Sequence, residues 1–197
     1  MRIIGGTHRS RRLLAPPDRE TSRPIIDRVK QSLFDRIWSM GLIGTDSAAG
    51  RVLDIFSGTG SLGLEALSRG SEHCTFVEKD RRIKDLLKEN LSALDLTGRA
   101  TVLGVDALAS GWLDRLEPRA PPATGLIFCD PPYRMTADPA LAERVADLIA
   151  RLATVTRAGG VAVLRTEVRT SAPTVDGWAG MDSYRYGSMV LHFYERS

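Results

Sequence analysis

The run Asp54-Ile-Phe-Ser-Gly-Thr-Gly-Ser-Leu-Gly63 carries three glycines, Gly58, Gly60 and Gly63, between an apolar stretch and an amphipathic one. Glycines at that spacing let a backbone turn tightly and approach a nucleoside-like ligand with no Cβ in the way. Glu78, twenty residues after Gly58, closes the next apolar run and could accept both hydroxyl protons of a ribose. A second tetrapeptide, Asp130-Pro131-Pro132-Tyr133, follows the apolar run Leu126-Ile-Phe-Cys129. Two prolines donate no backbone hydrogen bond and hold an extended turn, so the Asp130 carboxylate and the Pro131 carbonyl become fixed acceptors. Such acceptors suit an aromatic amine, whose lone pair is delocalised until its N–H groups are held and aimed. Tyr133 offers a stacking face for a base.

Two further acids choose among ligands. Asp54 sits just before the glycine loop, where a carboxylate suits the ammonium of a methionine moiety and would repel a pyrophosphate. S-adenosylmethionine has that ammonium and no phosphate. Asp106-Ala107 closes a third apolar run; its carboxylate can accept the amino hydrogens of adenine, or it can simply cap the turn that follows. Gly63 also has a purely structural use, close packing of a helix on a strand. Other residues look structural. His8, His73 and His192 have no metal-ligand spacing, Ser57 and Ser61 lack hydrolase partners, and Trp38, Trp112 and Trp178 are expected to be core or docking residues. No metal is expected.

From residue 50 onward, short β-branched runs alternate with longer amphipathic ones, the pattern of a parallel sheet with crossover helices. Strands are expected at 51–56, 74–78, 100–105, 125–129 and 161–166, and helices at 61–68, 80–94 with Asp80 as cap, briefly after Ala107, and at 140–153. The segments 183–186 and 189–194 flank Gly187-Ser188 as a hairpin would. Upstream, 27–40 carries apolar residues at 29, 33, 34, 37 and 38, with Asp27 as a candidate cap. Residues 1–15 alternate short apolar pairs around Gly5-Gly6-Thr7-His8, as in a small hairpin. Residues 41–50 and the proline-containing stretch 117–124 are expected to be connections.

The chain has a formal net charge of only +3, but residues 1–36 hold nine Arg/Lys against four acids, a local balance of +5. Such an arm on a slightly acidic body suits a polyanion, because phosphate contacts supply the sequence-independent part of nucleic-acid affinity. A merely solvated tail is the plainer alternative. Neither a spanning segment nor a signal peptide is visible, and Cys74 and Cys129 lie in apolar runs that suit buried thiols. A cytoplasmic monomer without disulfides is the expectation.

With these residues in view, the chain resembles the bacterial 16S ribosomal RNA guanine-N2 methyltransferases. The resemblance is carried by Met1-Arg-Ile-Ile-Gly-Gly, Arg12-Leu-Leu, Arg23-Pro24, Asp27-Arg-Val-Lys-Gln-Ser-Leu-Phe34, Leu64-Glu-Ala-Leu-Ser-Arg-Gly70, Phe76-Val-Glu-Lys79, Asp130-Pro-Pro-Tyr133, Tyr186-Gly187 and Phe193-Tyr194. The departures are Ile25-Ile26, where a small hydroxyl residue is usual, and Lys30-Gln31 for a more usual Arg-Glu.

The resemblance implies a three-layer α/β fold of the class I methyltransferase (Rossmann-like) type. Its seven-stranded sheet would be mostly parallel with an antiparallel C-terminal edge strand, and a small N-terminal β-hairpin would extend it. Residues 1–24 would form the RNA-contacting arm, with Arg2, Arg9, Arg11, Arg12, Arg23 and Arg28 meeting RNA, and 25–197 the catalytic domain. Asp54, Gly58, Gly60, Glu78, Asp106 and Ala107 would hold the methyl donor, S-adenosylmethionine. Asp130, Pro131, Pro132 and Tyr133 would hold a guanine amine of 16S rRNA, in the small subunit or an assembly particle. Three rivals stay open: an amino-methyltransferase for DNA or a protein amide, a nicotinamide-dependent dehydrogenase, which leaves Asp130-Pro-Pro-Tyr133 unexplained, and a non-catalytic RNA-binding protein.

Overall fold

A computed structural model describes residues 1–16, 25–44, 50–116, 124–170 and 172–197. Arg23 and most of the connection at 117–124 lie outside the described residues. Seven strands form one sheet: β1 (Arg51–Ile55), β2 (His73–Val77), β3 (Ala100–Leu103), β4 (Thr124–Cys129), β5 (Thr156–Glu167), β6 (Trp178–Tyr186) and β7 (Met189–Arg196). Their spatial order is β3-β2-β1-β4-β5-β7-β6. The first five run parallel, and β7 is antiparallel to both β5 and β6. The helices are α1 (Asp27–Ser39), α2 (Ser61–Ser68), α3 (Arg81–Ala93), α4 (Tyr133–Ala137) and α5 (Pro139–Leu152).

The strands read as near-continuous apolar runs because both faces are covered. Val52, Cys74, Phe76, Leu126 and Phe128 point to the layer that holds α1, α2 and α3, while their neighbours Leu53, Ile55, Val77, Ile127 and Cys129 point to α5 through Val145, Leu148, Ile149 and Leu152. Helix α1 lies on the first face. Phe34 packs on Phe128 with ring centroids 5.6 Å apart, and Arg36 stacks over Tyr184 of β6 at 3.5 Å.

Several boundaries differ from the sequence reading, each for a local reason. Asp27 is the first helical residue and Ile26 the cap; the Asp27 carboxylate instead meets Nε of Arg2 at 2.8 Å. Trp38 is 59% exposed in the last turn of α1, and the buried stripe is completed by Lys30. After Ala107 there is a 3-10 turn at Leu113–Arg115 rather than an α-helix, while Tyr133–Ala137, read as part of a turn, is helical. The N-terminal hairpin closes with a single antiparallel bridge, Arg2 to Arg12. The N–H groups of Ile3, Ser10 and Leu13 donate across it to the carbonyls of Arg11, Ile3 and Met1, while three other donors leave it for the body: Ile4 N–H to Glu65 at 2.8 Å, Thr7 N–H to the Ser68 carbonyl at 2.8 Å and His8 N–H to Ser68 Oγ at 2.9 Å.

Candidate active site

The sequence order of the strands reverses between β1 and β4, so the carboxyl ends of these two strands flank the crevice in which open α/β sheets bind ligands. Asp54 and Asp130 stand at those two ends. Asp54 is 1% exposed and its Oδ2 accepts the N–H of Gly63 at 2.8 Å, which fixes the carboxylate against the start of α2. Burial pushes its pKa well above the usual carboxylate range, the Gly63 bond pulls it down, and the negative charges of Asp130 and Glu78 push it further up.

The loop between β1 and α2 is held from β2. One oxygen of Glu78 accepts Gly58 N–H at 3.0 Å and the other accepts Asp80 N–H at 2.8 Å. Asp80 in turn caps α3, accepting from Arg82 and Ile83. Gly58 and Gly60 both have positive φ, 56° and 88°. A β-carbon at Gly58 would meet nothing within 4 Å, whereas at Gly60 it would strike Leu87 and at Gly63 the Phe76 ring and Cys74 sulfur. Gly58 therefore opens onto free space, and Gly63 serves helix–strand packing. In the turn that follows β3, Asp106 Oδ1 accepts Leu108 N–H at 3.0 Å and Oδ2 pairs with Lys79 at 3.2 Å. Partial burial works to raise the Asp106 pKa, but these two partners outweigh it and the net direction is down. The capping use of Asp106 is thus real; Ala107 beside it is buried.

On the other side of the switch point, Asp130 N–H donates to the Ile55 carbonyl at 3.2 Å, tying the tetrapeptide to β1. Pro131 is buried, Pro132 exposed and Tyr133 half-buried as the first residue of α4. The Pro132 carbonyl accepts Met135 N–H at 2.8 Å. The sequence reading missed Arg165, 8% exposed on β5. Its Nε lies 2.5 Å from Asp130 Oδ1 and its guanidinium carbon 5.3 Å from the Tyr133 ring centroid. Its signal was present: a lone cation in the run Val161-Ala-Val-Leu-Arg-Thr166, one step past the residue that pairs with Cys129.

The structure thus brings Asp54, Gly58, Gly60, Glu78 and Asp130 to one end of the sheet, with Asp106 and Ala107 in the turn that follows β3, which ends at Leu103. The predicted RNA-contact residues Arg2, Arg9, Arg11, Arg12 and Arg28 are exposed, and Arg2 and Arg12 face each other across the bridge. Arg11 also donates to the Ala93 carbonyl at 2.8 Å.

This strand order and the crevice at its reversal define a Rossmann-like fold of the class I methyltransferase type. The chain belongs to the family described as conserved hypothetical protein 95, whose model matches residues 1–195. A solved structure described as a candidate methyltransferase of Escherichia coli, yhhF, superposes with a TM-score of 0.77 at 30% identity, covering 100% of this chain and 98% of that one. Among curated relatives, a Bacillus subtilis (strain 168) protein named as a candidate rRNA methyltransferase, YlbH, is 43% identical over 136 residues, 68% of this chain and 67% of its own length. Ribosomal RNA small subunit methyltransferase D of Escherichia coli (strain K12) is 38% identical over 134 residues, 68% of this chain. The match spans 61% of that relative's length.

Proposed function

We propose that this protein methylates the exocyclic N2 amine of a guanine in the 16S RNA of the small ribosomal subunit, with S-adenosylmethionine as donor. The observation that carries the reading is the juxtaposition, across the β1/β4 switch point, of an acid-lined glycine loop and the Asp130-Pro-Pro-Tyr133 turn. The names of the Bacillus subtilis and Escherichia coli relatives, both naming rRNA methyltransferases, support an rRNA substrate.

The residues fit the donor on two counts. Gly58 leaves a space that a β-carbon would enter without contact, and Asp54, Glu78 and Asp130 form a like-charged group in which burial first, and then the charges of Asp130 and Glu78, raise Asp54. A cationic ligand relieves that repulsion. When bound, S-adenosylmethionine supplies a methyl group on an electrophilic sulfonium. Asp54 would face its ammonium, Glu78 its ribose, Asp106 and the Ala107 N–H its adenine. The Asp130 carboxylate and the Pro131 carbonyl accept the two N–H hydrogens of the target amine, drawing its lone pair out of conjugation and aiming it. Tyr133 stacks on the base turned out for reaction. The methylated amine is acidic and gives up its extra proton to solvent without a dedicated base.

Residues 1–24 act as the RNA-contacting arm on a catalytic domain of 25–197, with Arg2, Arg9, Arg11, Arg12, Arg23 and Arg28 on phosphates. A cytoplasmic monomer suits this substrate. The test is transfer of labelled methyl from S-adenosylmethionine to small subunits from cells lacking the protein, with nucleoside analysis of the RNA. Label in N2-methylguanosine is expected. Label in another nucleoside, in DNA or in protein would keep the fold and replace the acceptor.

A further inference from the structure

Buried guanidinium groups are costly inside a sheet, and a valine at position 165 would carry no charge to desolvate. The strand nevertheless places Arg165 at its end, and register explains where it points. Cys129 of β4 pairs with Leu164 of β5, so Asp130 and Arg165 are the next residues along two parallel neighbours. Nε of Arg165 lies 2.5 Å from Oδ1 of Asp130, and the same guanidinium stands over the Tyr133 ring at 5.3 Å. One cation therefore touches both side chains to which the proposed function gives a role in holding the amine.

The titratable and charged groups around the Asp130 carboxyl come from four elements: Asp54 of β1, Cys129 of β4, Tyr133 of α4 and Arg165 of β5. Asp54 opposes a charge on Asp130; Arg165 favours it. Protonation would convert one acceptor oxygen into a donor and spoil it for an amine N–H.

We propose that Arg165 is a positioning residue for methyl transfer: it keeps Asp130 ionised with Oδ1 occupied, leaving Oδ2 to accept from the amine, and it braces the Tyr133 ring. This rests on the reading of Asp130 as the amine acceptor. Burial raises the Asp130 pKa and Arg165 pulls it part of the way back, the net direction staying upward. Removing the guanidinium while leaving the burial sends the carboxyl further upward.

The test uses the full chain in wild-type, Arg165→Gln and Arg165→Lys forms. The Asp130 carboxyl carbon, assigned by its loss in Asp130→Asn, is titrated by NMR. Its midpoint is expected to rise by about one unit or more in Arg165→Gln and to return most of the way in Arg165→Lys. In turnover on small subunits, kcat of Arg165→Gln should fall by about two- to tenfold at pH 7 and recover toward pH 9, while affinity for S-adenosylhomocysteine stays within about threefold. An unmoved midpoint, or a loss of kcat equal at every pH, overturns the proposal and leaves Arg165 a packing residue. Should the glutamine variant not fold, Arg165→Met takes its place with the same expected rise, and no shift overturns the proposal equally. If the wild-type protein methylates nothing in the subunit, the proposed function fails, whereas the NMR titration still decides whether Arg165 controls Asp130.

Discussion

Two charge clusters adjoin α2, one through Glu65 and one through the Asp54 bond to Gly63, and they are built in opposite ways. At the junction of the N-terminal arm with α2, Glu65 is fully buried and every partner is supplied by protein. Its Oε2 accepts Ile4 N–H at 2.8 Å and meets Lys30 Nζ at 3.2 Å, and its Oε1 takes Arg69 Nε at 2.8 Å. Lys30, also fully buried, donates to the Arg2 carbonyl at 2.6 Å; burial draws its pKa down and Glu65 draws it up. At the strand ends, Asp54, Glu78 and Asp130 carry one sign, and the cation in contact with Asp130 is Arg165. A closed charge cluster is architecture, because each buried ion already has its counterpart. An acidic cluster left short of positive charge is the mark of a site whose counterpart arrives with a ligand.

This contrast can be broken by substitution. The largest effect is expected at Asp130. Asp130→Ala should lower turnover by about 100- to 1,000-fold, as removal of one preorganised hydrogen-bonding group does, while calorimetry with S-adenosylhomocysteine finds donor affinity within about threefold. Donor binding lost together with turnover would mean that Asp130 belongs to the donor side of the crevice. Next comes Glu65→Ala, which strands Lys30 and Arg69 and should cost about 3–5 kcal/mol in chemical denaturation; a near-neutral result would show that the closed cluster is closed in appearance only. The smallest change is Asp54→Asn. Because the folded-state pKa of Asp54 is raised, the folded chain binds more protons than the unfolded one above about pH 4, so ionisation of Asp54 costs stability increasingly as pH rises. The Asn variant without ligand should melt above wild type by about 2–4 °C at pH 8. That advantage should shrink as pH falls, with donor affinity about tenfold weaker. A variant that melts lower at pH 8 would place Asp54 among the satisfied charges.

The parallel sheet was legible because its signal is local: apolar runs, glycine punctuation and the Asp80 cap recur at the expected places, and α2 occupies Ser61–Ser68 as read. The acids at the strand ends were legible because the pattern puts strand ends at motif ends. Partnerships between distant segments were not. Lys30 reads as one more cation of a basic arm, and only the docking of α1 beside α2 reveals that it is buried against Glu65. Arg165 needs the β4/β5 register to find Asp130. The single-bridge hairpin depends on sockets 61 residues away in sequence, such as the one that receives Ile4. Helix α4 was hidden by Asp130-Pro-Pro-Tyr133, whose prolines suggest a turn but whose Pro132 serves as a helix cap.

Asn90 of α3 is 2% exposed, and its side-chain amide grips two segments at once. Oδ1 accepts Leu14 N–H at 2.7 Å, and Nδ2 donates to the carbonyls of Leu14 and Thr59, each at 3.1 Å. For protein engineering this makes the arm a poor cassette. A chimera that grafts the first sixteen residues of a relative onto this body imports plugs without their sockets, since Glu65, Ser68 and Asn90 travel with α2 and α3. Recombination between family members should therefore place its crossover after α3, so that arm, socket and glycine loop are inherited as one piece.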